Sequence, residues 1–200
     1  MSKEVKAEAK PEVKAESKPV EERPSVHKLT PGKKTYKILA IDDRRCVGCE
    51  ICESVCSMVH DNEFNPINSR IQRIRIEPVI NNAMNCQKCH DPDCMKGCQL
   101  GAITQDSDTG VIEIDYTKCD GCAACVRACP YGVITIHTKM RKAIVCDFCE
   151  SHPSKKPQCV ELCPKGAIFI EEIDPEVNED RLETQAKILK RGFPGSGMLN

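Results

Sequence analysis

The 200-residue chain has no tryptophan, three tyrosines and four phenylalanines, so aromatic side chains cannot carry its core. No apolar run approaches transmembrane length, and no apolar h-region stands near the N-terminus, so neither a membrane span nor an export signal is expected. The pair Arg44-Arg45 raises the possibility of a twin-arginine signal, but "CVGCEICESVC" follows where the apolar segment belongs. A cytoplasmic chain with reduced thiols is the expectation. Charge of one sign is also missing: the formal net charge is -1, which points to neither nucleic acid nor an anionic membrane. There is no Gly-rich dinucleotide loop, and no Ser/His/Asp or Cys/His nucleophile that is not better explained as metal ligation. Substrate chemistry is therefore not expected in this chain.

What the chain does have is cysteine, sixteen in all, counted within a hydrophobic fraction of 40%. The ordinary apolar core must be thin, and chains in that position are commonly held together by disulfides or metal. In a cytosolic chain, cysteine clusters read as metal sites.

The segment "MSKEVKAEAKPEVKAESKPVEERPSVHK" alternates Lys with Glu and carries three prolines but no Leu, Ile, Gly or aromatic residue. It cannot bury enough apolar surface to offset its ordering entropy, so residues 1–34 read as a disordered tail, either solvated or a docking tether. The cysteine-rich core spans 35–174, from the strand-like "YKILAI" to "AIFIEEID". Beyond it, residues 175–200 offer a helix from about Asp180 to Arg191, stopped by Gly192 and Pro194, which packs on its own domain or docks on a partner.

The cysteines fall into four groups: Cys46, Cys49, Cys52, Cys56; Cys86, Cys89, Cys94, Cys98; Cys119, Cys122, Cys125, Cys129; and Cys146, Cys149, Cys159, Cys163. Groups two to four share a repeat, since the last cysteine is followed by "QLGAI", "PYGVI" or "PKGAI" and then a strand-like run. The unit is a cysteine loop, a short helix, a Gly turn and a strand, which gives a loop-rich α+β fold. Group one departs from it, with Val59 where Gly stands elsewhere.

Group three, "CDGCAACVRACP", has the C-x2-C-x2-C-x3-C-P run of bacterial-type ferredoxins, whose fourth cysteine ligates the other cluster of a pair. Cys125 and Cys129 stand one helical turn apart, which carries the fourth thiolate away from the first three. Group one keeps this spacing with Ser57 in place of Pro; group two inserts two residues before its third cysteine, and group four opens that interval to "ESHPSKKPQ". Ser57 and Gln99, where Pro would stand, need no role on this reading. The x3 before the last cysteine never changes. Four zinc ions would also use sixteen cysteines, but structural zinc sites pair two short C-x2-4-C elements across a longer spacer.

The order of these groups resembles the four-cluster ferredoxin-type electron-transfer subunits of multisubunit oxidoreductases, over residues 36–174. The stretch "HDNEFNPINSRIQRIRIE" is similar to the small subunits beside tungsten aldehyde oxidoreductases and tungsten benzoyl-CoA reductases, although Arg70, Arg73 and Arg75 also read as the solvated face of an alternating strand. The resemblance implies tandem ferredoxin-like modules with pseudo-twofold symmetry, an outer one from groups one and four and an inner one (84–140) from groups two and three. It implies four 4Fe-4S clusters. Cys46, Cys49, Cys52 and Cys163 would hold the first, and Cys86, Cys89, Cys94 and Cys129 the second. Cys119, Cys122, Cys125 and Cys98 would hold the third, and Cys146, Cys149, Cys159 and Cys56 the fourth.

It further implies a relay of single electrons in anaerobic metabolism. One partner is a larger catalytic subunit with tungsten or molybdenum; the other is a further redox protein or a flavin subunit. The alternatives are a free-standing polyferredoxin, a hydrogenase or formate dehydrogenase subunit, and a zinc-bound scaffold. Lys88, Lys96, Lys118 and Arg127 are candidates for raising cluster potentials, whereas His90 and His152 read as loop residues.

Overall fold

The computed structural model describes residues 34–76 and 80–174; the Lys/Glu-rich tail and the helix expected near 180–191 lie outside them. "YKILAI" forms strand β1 (Tyr36–Ile41), which pairs antiparallel with β8 (Ile168–Ile173) along its whole length, Tyr36 opposite Ile173 and Ile41 opposite Ile168. The two ends of the cysteine-rich region are thereby joined in one ribbon.

Between them the chain runs through helix α1 (Ile51–Asp61) and a hairpin of β2 (Gln72–Ile76) and β3 (Ile80–Met84). Helix α2 (Asp93–Lys96) leads to a hairpin of β4 (Ile103–Gln105) and β5 (Ile112–Ile114). Helix α3 (Ala124–Ala128) leads to a hairpin of β6 (Thr135–Ile136) and β7 (Ala143–Ile144), and α4 (Gln158–Glu161) leads into β8. Each sheet among the described residues has two strands. This is the loop-rich α+β architecture expected.

The sequence repeat has a local cause. Gly101, Gly132 and Gly166 adopt left-handed φ values of 57°, 63° and 55°. Each donates its N–H to the carbonyl of the last cysteine in its group, Cys98, Cys129 or Cys163, at 3.1–3.2 Å. A side-chain-free residue at that point ends the short helix and turns the chain straight into its strand. In group one, with Val59 there, α1 continues for 11 residues and stops instead at Asn62, left-handed at φ 51°. The fourth cysteine of group three lies one step outside its helix: Cys129 is extended (φ -71°, ψ 115°) and caps α3.

Two separate apolar cores result. One gathers Ile103, Ile112, Ile134, Ala143 and Val145 with Cys94 and Cys125; the other gathers Leu39, Ile71, Ala83 and Ile168 with Cys56 and Cys159. The helices follow the same division, α2 against α3 and α1 against α4. Cysteines are thus structural members of both cores.

Two expectations need correction. Ser57 does have a role: it is fully buried, its hydroxyl donates to the Ser54 carbonyl at 3.0 Å, and it accepts the Asn65 N–H at 3.2 Å. A proline at this point of an 11-residue helix would remove an interior N–H and break the longer helix that group one builds. Nor are Arg70 and Arg73 on a solvated face. Arg70 Nη1 lies 3.1 Å from Asp147 in the group-four loop, and Arg73 Nη2 lies 2.8 Å from Glu50 beside α1. Of the three arginines only Arg75 is exposed.

Candidate iron-sulfur sites

The first C-x2-C loop is built alike in all four groups. The residue before its second cysteine is left-handed each time: Gly48 (φ 66°), Lys88 (49°), Gly121 (77°) and Phe148 (60°). This conformation curls the loop so that neighbouring thiols converge. Glycine adopts it freely, whereas for Lys88 and Phe148 it costs about 1–2 kcal/mol each. These two strained residues, equivalent in groups two and four, meet: the Lys88 ammonium lies 4.3 Å from the centroid of the Phe148 ring.

The loops bring thiols together across groups. Cys46, Cys49 and Cys52 line one cavity with Cys163 of group four. Cys86, Cys89 and Cys94 line another with Cys129 of group three. Cys98 of group two acts electrostatically on Cys125, as does Cys119. Cys56 of group one acts in the same way on Cys146, Cys149 and Cys159. All sixteen cysteines are free thiols. Among the described residues, no three His, Cys, Asp or Glu side chains close around a single ion. A 4Fe-4S cluster takes four cysteine thiolates, the number that each of these two cavities draws from two groups.

Burial pushes the Cys52 and Cys94 thiols up to about 12 and the Cys149 thiol up to about 11, so cluster assembly must displace protons from these three. Three of the four fourth cysteines also receive a backbone N–H at 3.3 Å: Ala102 to Cys98, Ala167 to Cys163 and Arg70 to Cys56. The first two come from the residue after the turn glycine, so the repeat "x-x-Gly-Ala" places a donor on sulfur. In group one the hairpin approach at Arg70 supplies it instead. Such N–H to sulfur bonds stabilise the thiolate and tune cluster potential.

Several functional neighbours escape sequence reasoning. The His60 side chain is 4% exposed, with Nε2 3.5 Å from Asp147 and 3.8 Å from the Cys149 sulfur. Burial, then the Arg70 guanidinium, pushes its imidazole below the usual range. Its position one helical turn beyond Cys56 on α1 is the signal that could have found it. Asp147 is held below the usual carboxylate range: its burial works the other way and is outweighed by the Ser151 hydroxyl, Arg70 and His60. His152 is half-buried and bonds Ser154, and His90 is exposed. Of the four candidate tuning cations only Lys88 is buried, at 4% exposure, its Nζ donating to the Thr109 carbonyl at 3.1 Å. Lys96 pairs with Asp91 and Asp93 and Lys118 with Asp115, both on the surface, and Arg127 is exposed.

Residues 79–173 match the family model of the 4Fe-4S dicluster domain. The polyferredoxin-like subunit of an aliphatic sulfonate oxidoreductase from Pyrococcus furiosus is 35% identical over 125 residues, covering 62% of this chain and 70% of that one. The chain belongs to the ferredoxin-like 4Fe-4S electron-transfer subunits. A second member, the thiosulfate reductase electron transfer subunit PhsB of Salmonella typhi, is 30% identical over 175 residues, covering 82% of this chain and 89% of that one. Among solved structures, a chain of the active-site complex BamBC of benzoyl coenzyme A reductase is 23% identical with a TM-score of 0.44, over 82% of this chain and 95% of that one. As a member of this family the chain carries 4Fe-4S clusters, and its sixteen cysteines match the needs of four. When bound, such clusters each store and release one electron. The chain supplies their ligands, sulfur hydrogen bonds and surrounding charge, and excludes water with its two small cores. No helix among the described residues is long and apolar enough to cross a membrane.

Proposed function

We propose that this subunit relays single electrons between a larger catalytic subunit bearing tungsten or molybdenum and a second redox protein or flavin subunit. The ligand sets are those that cross between groups. Cys46, Cys49 and Cys52 pair with Cys163, and Cys86, Cys89 and Cys94 with Cys129. Cys119, Cys122 and Cys125 pair with Cys98, and Cys146, Cys149 and Cys159 with Cys56. The observation that carries this reading is the convergence of thiols from two groups on one cavity, Cys163 with group one and Cys129 with group two. On this reading groups one and four form an outer module around one apolar core, and groups two and three an inner module around the other. Lys88 of the inner module sits over the Phe148 ring of the outer at 4.3 Å, so the modules meet at the loops of groups two and four, and on this reading the four clusters form one path with two distinct ends.

Two ends suit a wire between two partners better than a diffusing carrier, which needs one docking face. The P. furiosus relative is a subunit of an oxidoreductase, and PhsB is named an electron transfer subunit, which supports a fixed place in a complex. The cytoplasm is the compartment we assign, because cysteine clusters that ligate metal instead of forming disulfides are typical of reducing compartments.

Anaerobic purification under native conditions tests the proposal. The expected result is iron and acid-labile sulfide for four clusters, with a larger polypeptide containing tungsten or molybdenum eluting in fixed ratio. Elution of this chain alone with all its clusters would favour a soluble polyferredoxin. Nickel in the partner would place it with a hydrogenase.

A further inference from the structure

Groups one and three place glycine at the left-handed position of the first C-x2-C loop, where it is free of strain, while groups two and four place Lys88 and Phe148 there. A strained residue persists where its surroundings hold it, and strain of this kind gathers at functional positions. Lys88 and Phe148 are held by one another: the ammonium sits over the Phe148 ring at 4.3 Å and donates to the Thr109 carbonyl at 3.1 Å. The contact lies where groups two and four meet. Lys88 stands between Cys86 and Cys89 in the chain, and Phe148 between Cys146 and Cys149, so the ammonium over that ring lies at the meeting of the two cysteine loops.

We propose that the Lys88 ammonium is a positioning charge for electron transfer, raising the potentials of the two clusters that face each other between groups two and four so that an electron can cross there. The inference rests on the ligand sets proposed above, in which Cys86 and Cys146 belong to those two clusters. Each cluster gains one negative charge on reduction, and burial opposes that gain. Lys88 is 4% exposed, so its charge is little screened by water, and its ammonium sits over the ring of the residue that precedes Cys149. Lys96 and Lys118 cannot play this part, since each is exposed and paired with aspartate.

The test is an EPR-monitored redox titration of the full-length holoprotein, with K88M, K88R and K88G, iron and sulfide being measured in each. The expected result for K88M is a negative shift of two of the four cluster potentials with the other two unmoved, and for K88R a return toward the parent values. K88G removes the same charge while relieving the φ of 49°, so it decides the matter if K88M assembles poorly. Four unmoved potentials in a fully loaded charge-deletion variant, or four shifting together, would overturn the proposal. An unsubstituted protein that lacks four clusters would instead overturn the ligand reading on which the proposal rests.

Discussion

Removing iron from the anaerobic protein with a chelator is expected to abolish its fold. Among the described residues the α-helices other than α1 have four or five residues, and the sheets are two-stranded ribbons of two to six residues per strand. An isolated helix shorter than about 12–15 residues is marginal in water, and so is a lone hairpin. Neither core can compensate, because cysteines are members of both and line the cavities beside them. Cluster binding is therefore largely the folding free energy, as it is in small metal domains. Far-UV circular dichroism after chelation should approach that of an unfolded chain, and amide protection along β1 and β8 should disappear. A metal-free chain that kept native ellipticity and a cooperative thermal transition would show that the apolar cores suffice.

The second large effect is expected at Gly121. A Cβ there would stand 1.9 Å from the Arg141 carbonyl oxygen, at a φ of 77° that L side chains rarely adopt. The obstacle is backbone, fixed in the β6–β7 turn by the bond from Arg141 N–H to the His137 carbonyl at 2.9 Å, so no rotamer change relieves it. Gly121→Ala should cost more than about 4 kcal/mol, at the extreme of single substitutions, and should deplete iron from the cluster proposed for Cys119, Cys122 and Cys125. Gly132→Ala is the control: its φ is 63° but nothing lies within 4 Å of the added Cβ, so only the left-handed penalty of about 1–2 kcal/mol applies. Iron content and the apparent thermal midpoint, read side by side, separate the two. Equal behaviour would mean that the close approach of the two loops is not maintained.

What sequence reveals here is what spacing encodes. The strands of "YKILAI" and "AIFIEE", the helix after each cysteine loop and the turn at Gly101, Gly132 and Gly166 follow from local pattern, because the residue that forces each turn stands in the turn itself. What it hides depends on residues distant in the chain. Ser57 looks like a neutral replacement of proline until Asn65 is found folded back on its hydroxyl. Arg70 and Arg73 alternate like a solvated face until the β2–β3 hairpin is seen against α1 and Asp147. Lys88 is one of four unremarkable cations in the sequence; only the fold shows that it alone is buried, and that its counterpart in group four is the ring it sits on. Charge and burial at a cluster are tertiary properties, and no spacing rule carries them.

If the fourth cysteine of each group leaves its neighbours for another cluster, the double variant C125A/C129A must reveal it. Cys125 lies within α3 and Cys129 caps it, so the two substitutions disturb one short stretch of chain. Crossed ligation predicts that each single variant perturbs a different cluster and that the double variant perturbs two, by loss or by conversion to a three-iron form, as counted by iron analysis and EPR. Perturbation of one and the same cluster in all three variants would mean that Cys125 and Cys129 ligate a single cluster, against crossed ligation.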